Sequence, residues 1–115
     1  MRHRVPGNRL SRPYDQHKAI LRSLATELLR HDEIVTTVSK AKAVRSHAEK
    51  MITLAKRGLI DNPADVYGKA KSDDTNVASE ASKVIANHVH CRGQLLAFIY
   101  DNEVVSRAFE ELAPR

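Results

Sequence analysis

The sequence predicts a single, mostly helical α+β domain over its 115 residues. Apolar residues recur at three- and four-residue spacing in several segments, as they do on one face of an amphipathic helix. One short segment, Glu33–Val38, instead contains five consecutive β-branched residues, which is typical of a strand. The composition is 42% hydrophobic but only 4% aromatic, so the core must be small and aliphatic. We expect the order helix, strand and then three or more helices.

The first thirteen residues, MRHRVPGNRLSRP, are predicted to form an extended, flexible basic arm. They include four arginines and no acid, and they are interrupted by Pro6, Gly7 and Pro13. This segment contains too little apolar surface to offset the entropy of ordering it, so alone it should be mobile.

The first helix is predicted within SRPYDQHKAILRSLATELLRHD. Pro13 suits its first turn, where the acidic Asp15 also favours the helix dipole. The residues predicted to form its apolar stripe are Ile20, Leu21, Leu24, Ala25 and Leu28. The strand Glu33–Val38 follows, although Thr36 and Thr37 could instead direct their hydroxyls at a phosphate.

The second helix is predicted within SKAKAVRSHAEKMITLAKRG. Ser39 is its expected N-cap, and Gly58 stands where a left-handed C-terminal cap is expected. Its apolar stripe comprises Ala41, Val44, Ala48, Met51, Ile52 and Ala55.

The remaining chain is predicted to begin with a surface loop over residues 59–76, because that stretch is polar and rich in turn residues. A weaker helical stripe starts at Thr75, with Asp74 or Thr75 as the cap. Two further short helices are expected from Cys91 onwards, and Asp101 should cap the second of them.

The charge is divided unevenly along the chain. Residues 1–57 contain 13 Lys/Arg and 5 Asp/Glu, whereas residues 58–115 contain 6 and 9. The first half is therefore predicted to bind a polyanion. A membrane is not the predicted partner: no stretch approaches the ~18 apolar residues of a membrane span. A membrane-surface helix would need Trp or Phe opposite its basic face, and residues 1–57 have neither.

No catalytic or metal-binding constellation is evident. The segment HVHC (His88 to Cys91) lacks the second ligand pair that a zinc site needs. The pairs Asp73–Asp74 and Glu110–Glu111 are adjacent, so their carboxylates do not face each other. With a single cysteine, no intrachain disulfide is possible. We predict no enzyme activity, no cofactor and no metal.

From the residues alone, the chain is a small basic polyanion binder, with RNA favoured over DNA because of the arginine-rich arm. Two alternatives remain open. One is an architectural protein that binds duplex DNA, and the other is a metal-dependent enzyme centred on HVHC.

Several segments resemble a known family. MRHR, LLRHDEIVTT and KAKAVRSHAEKMITLAKRG are similar to bacterial-type ribosomal protein seventeen of the large subunit. DQHKAILRSLATELLRH and LLAFIYDNEVVSRAFEELAPR fit the same family. The resemblance covers about residues 1–58 and 92–115 and is nearest to cyanobacterial and plastid members.

This resemblance implies a structural constituent of the large ribosomal subunit with a two-layer α+β fold. Its partners would be large-subunit ribosomal RNA and neighbouring ribosomal proteins, with no membrane and no small-molecule substrate. Plastid stroma is the favoured location, and bacterial cytoplasm is the alternative. The implied RNA-binding residues are Arg2, His3, Arg4, Arg9, Arg12, Lys18, Arg22, Arg30, His31, Thr36, Thr37, Lys40, Lys42 and Arg45.

Two departures from the family pattern are expected. Residues 59–91 look like an insertion that lies away from RNA, on solvent or against a neighbouring protein. At the C-terminus, the family's usual pair of strands is expected to be missing after LAPR. The strand Glu33–Val38 would then lack its usual partners.

Overall fold

The computed structural model describes residues 3–4 and 7–115, which form an elongated helical body of 60 × 34 × 22 Å. It contains five α-helices and ends in a π-helical segment. The helices are α1 (Tyr14–His31), α2 (Val38–Arg57), α3 (Pro63–Ala70), α4 (Thr75–Phe98) and α5 (Asn102–Arg107), and the π-helical segment is Ala108–Leu112. None of these helices is both long and apolar enough to cross a membrane.

The predicted strand does not form. Residues 33–37 have no regular secondary structure, Val38 is already the first residue of α2, and no strand occurs within residues 3–4 and 7–115. A strand needs a neighbour to satisfy its backbone groups, and the described part of the chain supplies none. The mostly helical prediction is confirmed, whereas its α+β component and two-layer sheet are not. Val35 is left fully exposed.

Two of the predicted caps are confirmed. The side chain of Asp74 accepts a hydrogen bond from the backbone N–H of Asn76, and Asp101 accepts one from Glu103. Each carboxylate satisfies an N–H that its helix leaves unpaired in the first turn. The Ser39 cap is wrong, because α2 begins at Val38 and its N-cap residue is Thr37.

Gly58 ends α2, as predicted, but for a different reason. Its φ of −90° is not left-handed. A Cβ at this position would lie 2.7 Å from the Cβ of Cys91 and 3.1 Å from Cε1 of Phe109. Glycine is therefore needed because α2 and α4 approach closely here.

The predicted loop over residues 59–76 is largely helical. Pro63 and Asp65 occupy the first turn of α3, where a missing N–H and a negative charge are both favourable. The chain then enters α4, which runs for 24 residues without the break that the sequence predicted. Helix α3 packs against α4 and buries none of its residues.

The core lies between α2, the C-terminal half of α4 and the C-terminal segment. Its largest fully buried side chains are Leu95, Ile99, Val105 and Cys91. A smaller cluster of Leu21, Ala25 and Val44 joins α1 to α2, and Phe98 packs against it. Residues from both halves of the chain thus share one core, despite their opposite net charges.

Candidate nucleic-acid interface

The described part of the N-terminal arm makes local turns beside α1. Asn8 accepts a hydrogen bond from the backbone N–H of Leu10 at 2.9 Å, and its carbonyl oxygen lies 2.8 Å from Nε2 of His17. The Arg12 guanidinium donates to the carbonyl of Leu10 at 3.1 Å. This stretch is therefore not extended as predicted. Arg2 lies outside the described residues.

Five of the predicted RNA-binding cations face outward, and we call them the outer cations: Arg4, Arg9, Lys18, Lys40 and Lys42. Lys40 is half-buried and the other four are exposed. None of the five makes an ion pair with a carboxylate in residues 3–4 and 7–115. Their charge is available to an external anion. His3 is exposed as well.

Arg45 is exposed like most of the outer cations, but it forms an ion pair with a carboxylate of the same helix. Its Nε donates to Oε1 of Glu49 at 2.8 Å, and this hydrogen bond raises the pKa of the guanidinium. Both side chains are largely exposed, so water and salt screen the pair and a phosphate could replace the carboxylate.

Arg22 was predicted to bind RNA but is bonded within the fold. Its Nε donates to the carbonyl oxygen of Phe98 at 2.7 Å, across 76 residues of sequence. Its guanidinium carbon lies 4.3 Å from the ring centroid of Tyr100, which is a cation–π contact. Arg22 thereby satisfies a carbonyl at the C-terminal end of α4.

Arg30 and His31 are also paired. Arg30 donates to Oδ2 of Asp101 at 2.6 Å and to Glu27. Nε2 of His31 lies 3.1 Å from the other oxygen of Glu27. The hydrogen bond from the backbone N–H of Glu103 lowers the pKa of Asp101 most, and the hydrogen bond from Arg30 lowers it further. The Arg30–Asp101 pair joins the end of α1 to the start of α5, whereas the contacts with Glu27 lie within α1.

Sequence reasoning missed Arg107, which closes the same junction from the other side. Its guanidinium donates to the carbonyls of Leu29 and Arg30, the latter at 2.6 Å, and to the carboxylates of Asp32 and Glu111, both at 2.9 Å. The hydrogen bond from Arg107 lowers the pKa of Asp32. The sequence does show that Glu111 follows Arg107 by four residues, the spacing of a helical ion pair. It does not show the partners of Arg107 on α1, because they are more than 70 residues away in the sequence.

We use the term seam for this junction of α1 with residues 98–107, formed by Arg22, Arg30, Arg107 and their partners. All three cations are arginines whose donors point into the fold. Arg22 and Arg30, two of the predicted RNA-binding residues, therefore belong to the seam, whereas the exposed His31 contacts Glu27 within α1.

The other predicted residues lie on the linker between α1 and α2. Thr37 is exposed and Thr36 is half-buried. Near the linker, His47 of α2 stacks on Phe98 with ring centroids 5.4 Å apart. Burial lowers the pKa of His47, and electrostatic repulsion from Lys50 and His17 lowers it further. Sequence reasoning did not single out His47, because its stacking partner Phe98 lies 51 residues later in the sequence.

Two residues of HVHC, His88 and Cys91, pack within the fold. Nδ1 of His88 lies 2.7 Å from the carbonyl oxygen of Gly58, and its ring is tilted against Phe109. Cys91 is fully buried against Gly58, whereas His90 is exposed. In the described part of the chain, no three potential metal ligands come together.

Comparisons with known proteins identify relatives over nearly all of the chain. The sequence profile of the family described as ribosomal protein L17 matches residues 20–115. The "Large ribosomal subunit protein bL17" of Clostridium botulinum strain Hall is 41% identical over 107 residues, which cover 93% of this chain and 69% of that protein. The protein of the same name from Clostridium perfringens strain SM101 is 40% identical over the same shares.

Proposed function

The chain belongs to the ribosomal protein L17 family, and we propose that it is a structural constituent of the large ribosomal subunit that binds large-subunit ribosomal RNA. The family is one of structural ribosomal proteins, so the function is to neutralise phosphates and fix RNA geometry rather than to catalyse a reaction. Neighbouring ribosomal proteins are the expected additional partners.

The observation that carries this proposal is the orientation of the outer cations. Within the described residues they have no carboxylate partner, whereas the seam arginines are bonded to the fold. Cations held apart from acids release the counterions of a polyanion when they bind it, which is the main source of affinity for phosphate backbones. Arg2, His3, Arg12, Arg45, Thr36 and Thr37 complete the proposed RNA-binding surface.

Part of the acidic half, residues 59–91, is proposed to face away from the RNA. Residues 59–91, interpreted from the sequence as an insertion, carry Asp61, Asp65, Asp73, Asp74 and Glu80, all exposed. Like charge repels a phosphate backbone, so this side suits solvent or a neighbouring protein. Plastid stroma remains our favoured compartment from the sequence resemblance, with bacterial cytoplasm as the alternative.

The proposal is tested by the salt dependence of binding to a large-subunit ribosomal RNA fragment. Replacing Lys18, Lys40 and Lys42 together with Gln should reduce the slope of log K against log[salt] by about two units, because each phosphate contact contributes about 0.7–0.9. The matched control replaces Lys69, Lys71 and Lys83 of the acidic half with Gln and should leave the slope unchanged. Equal slopes in both triple variants would refute the proposed interface.

A competition experiment separates this function from that of a DNA-architectural protein. Duplex DNA of equal charge should displace the ribosomal RNA fragment only at large excess. If the two compete equally, the chain binds phosphate without regard to the nucleic acid, and the DNA-binding alternative is favoured.

A further inference from the structure

Tyr100 is an aromatic side chain from the acidic half that the seam holds against the basic half. It lies between α4 and α5, and 55% of its surface is exposed. Its backbone N–H donates to Oγ1 of Thr26 at 3.3 Å, and Thr26 is buried in α1. The backbone of Tyr100 is therefore held against α1.

One face of the ring is already covered by a cation. The Arg22 guanidinium lies 4.3 Å from the ring centroid, and its Nε–H···O bond to Phe98 holds it in place. With the guanidinium on one side of this half-exposed ring, a second flat group would stack on the opposite side. Little rotamer entropy remains to be lost when such a group binds.

The charge around Tyr100 suits a nucleotide. Arg22 supplies a positive charge at the ring, and Lys18 lies one helical turn before it on the same face of α1. The neighbouring carboxylate of Asp101 is neutralised by Arg30 at 2.6 Å and by the N–H of Glu103 at 3.0 Å. Asp101, the carboxylate next to Tyr100 in sequence, therefore does not place an unpaired negative charge beside the ring.

We infer that Tyr100, backed by Arg22, is a stacking platform for one unpaired base of the bound RNA. Unstacked bases are commonly held on aromatic rings and guanidinium planes, because every base has an aromatic face. This inference rests on the proposed function and adds to it a contact with a base, made by the half of the chain whose net charge is negative.

The test uses the full chain and a single-stranded RNA in which 2-aminopurine replaces adenine, so that stacking on an aromatic ring quenches fluorescence. Tyr100→Leu should weaken binding by about fivefold or more and abolish the added quenching, because one stacked base is lost. Tyr100→Phe should bind and quench like the wild type. The slope against salt should not change, since no phosphate contact is removed.

Tyr67→Leu is the matched control, because Tyr67 is 46% exposed on α3 and has no comparable cation in the described contacts. It should bind like the wild type. Thermal unfolding of every variant, measured without RNA, shows whether the protein is folded at the temperature of the binding experiment. If folded Tyr100→Leu binds and quenches like the wild type, the platform is refuted while RNA binding stands. If the wild type itself binds no RNA, the proposed function fails.

Discussion

The seam and the outer side of the basic half use the same kinds of side chain for different purposes. At the seam, Arg22, Arg30 and Arg107 donate to carbonyls and carboxylates more than 70 residues away in sequence. On the outer side, cations such as Lys18 and Lys42 are exposed. The count of charges therefore overstates the binding surface, because a guanidinium bonded to its own fold has fewer donors left for a phosphate.

The chemistry of arginine suits it to the seam, although the outer cations Arg4 and Arg9 are arginines as well. The end of a helix leaves several carbonyl oxygens unpaired, and a guanidinium can reach two of them and a carboxylate at once. Arg107 does this at the end of α1. An ammonium is a compact charge that loses more hydration when it is enclosed, which favours its use on the exposed side.

The largest expected effect comes from overpacking the contact of α2 with α4 at Gly58. Gly58→Ala places a Cβ 2.7 Å from that of Cys91, so either α2 or α4 must shift. Overpacking of this kind costs about 1–3 kcal/mol of the free energy of unfolding, and a clash with a backbone-proximal Cβ should reach the upper end. Urea unfolding of Gly58→Ala and the wild type measures this loss of unfolding free energy.

Gly93→Ala is the matched control for that change. A Cβ at Gly93 has no neighbour within 4 Å, and the residue lies inside α4. Alanine there should stabilise the protein by about 0.5–1 kcal/mol, since glycine loses more backbone freedom on folding. If Gly58→Ala is as stable as Gly93→Ala, the two halves do not depend on this contact.

Much of the helical content could be predicted, because periodicity depends only on neighbours in sequence. The helices α1 and α2 and the caps at Asp74 and Asp101 follow from local rules. Gly58 shows where local rules end. Its position at a helix terminus predicted a left-handed cap, whereas the close approach of Cys91, 33 residues later, is what requires a glycine.

The candidate site was predicted less well than the fold. The sequence identified the basic half, but it could not distinguish Lys18, which faces solvent, from Arg22, one turn later, which bonds to Phe98. The distinction depends on a partner 76 residues away. For the segment Glu33–Val38, β-propensity predicted a strand, but propensity alone cannot supply the missing neighbour.

A smaller effect distinguishes seam arginines from those that face outward. Arg107→Gln should lower the midpoint of thermal unfolding, because the carbonyls at the end of α1 and Asp32 lose their donor. It should leave the salt slope of RNA binding unchanged. Arg45→Gln should do the reverse and reduce the slope by just under one unit. If both variants shift the same quantity, the distinction between seam and outer side is wrong.

The smallest effect is a pH dependence that belongs to the seam. Hydrogen bonding from Arg107 holds the pKa of Asp32 below its ordinary 3.8, although burial opposes this. As pH falls below about 4, the unfolded chain takes up the proton first, so the stabilisation present at neutral pH is lost as pH passes through the folded-state pKa.

Asp32→Asn removes this ionisation and keeps a residue that tolerates the left-handed φ of 65°. Wild type should therefore exceed Asp32→Asn in urea midpoint at pH 7, and the difference should shrink towards pH 2. Asp73→Asn, which removes a charge from an exposed site outside the seam, should stay close to the wild type at pH 7. A difference between wild type and Asp32→Asn that persists undiminished at pH 2 would mean that the carboxylate charge is not what Arg107 stabilises.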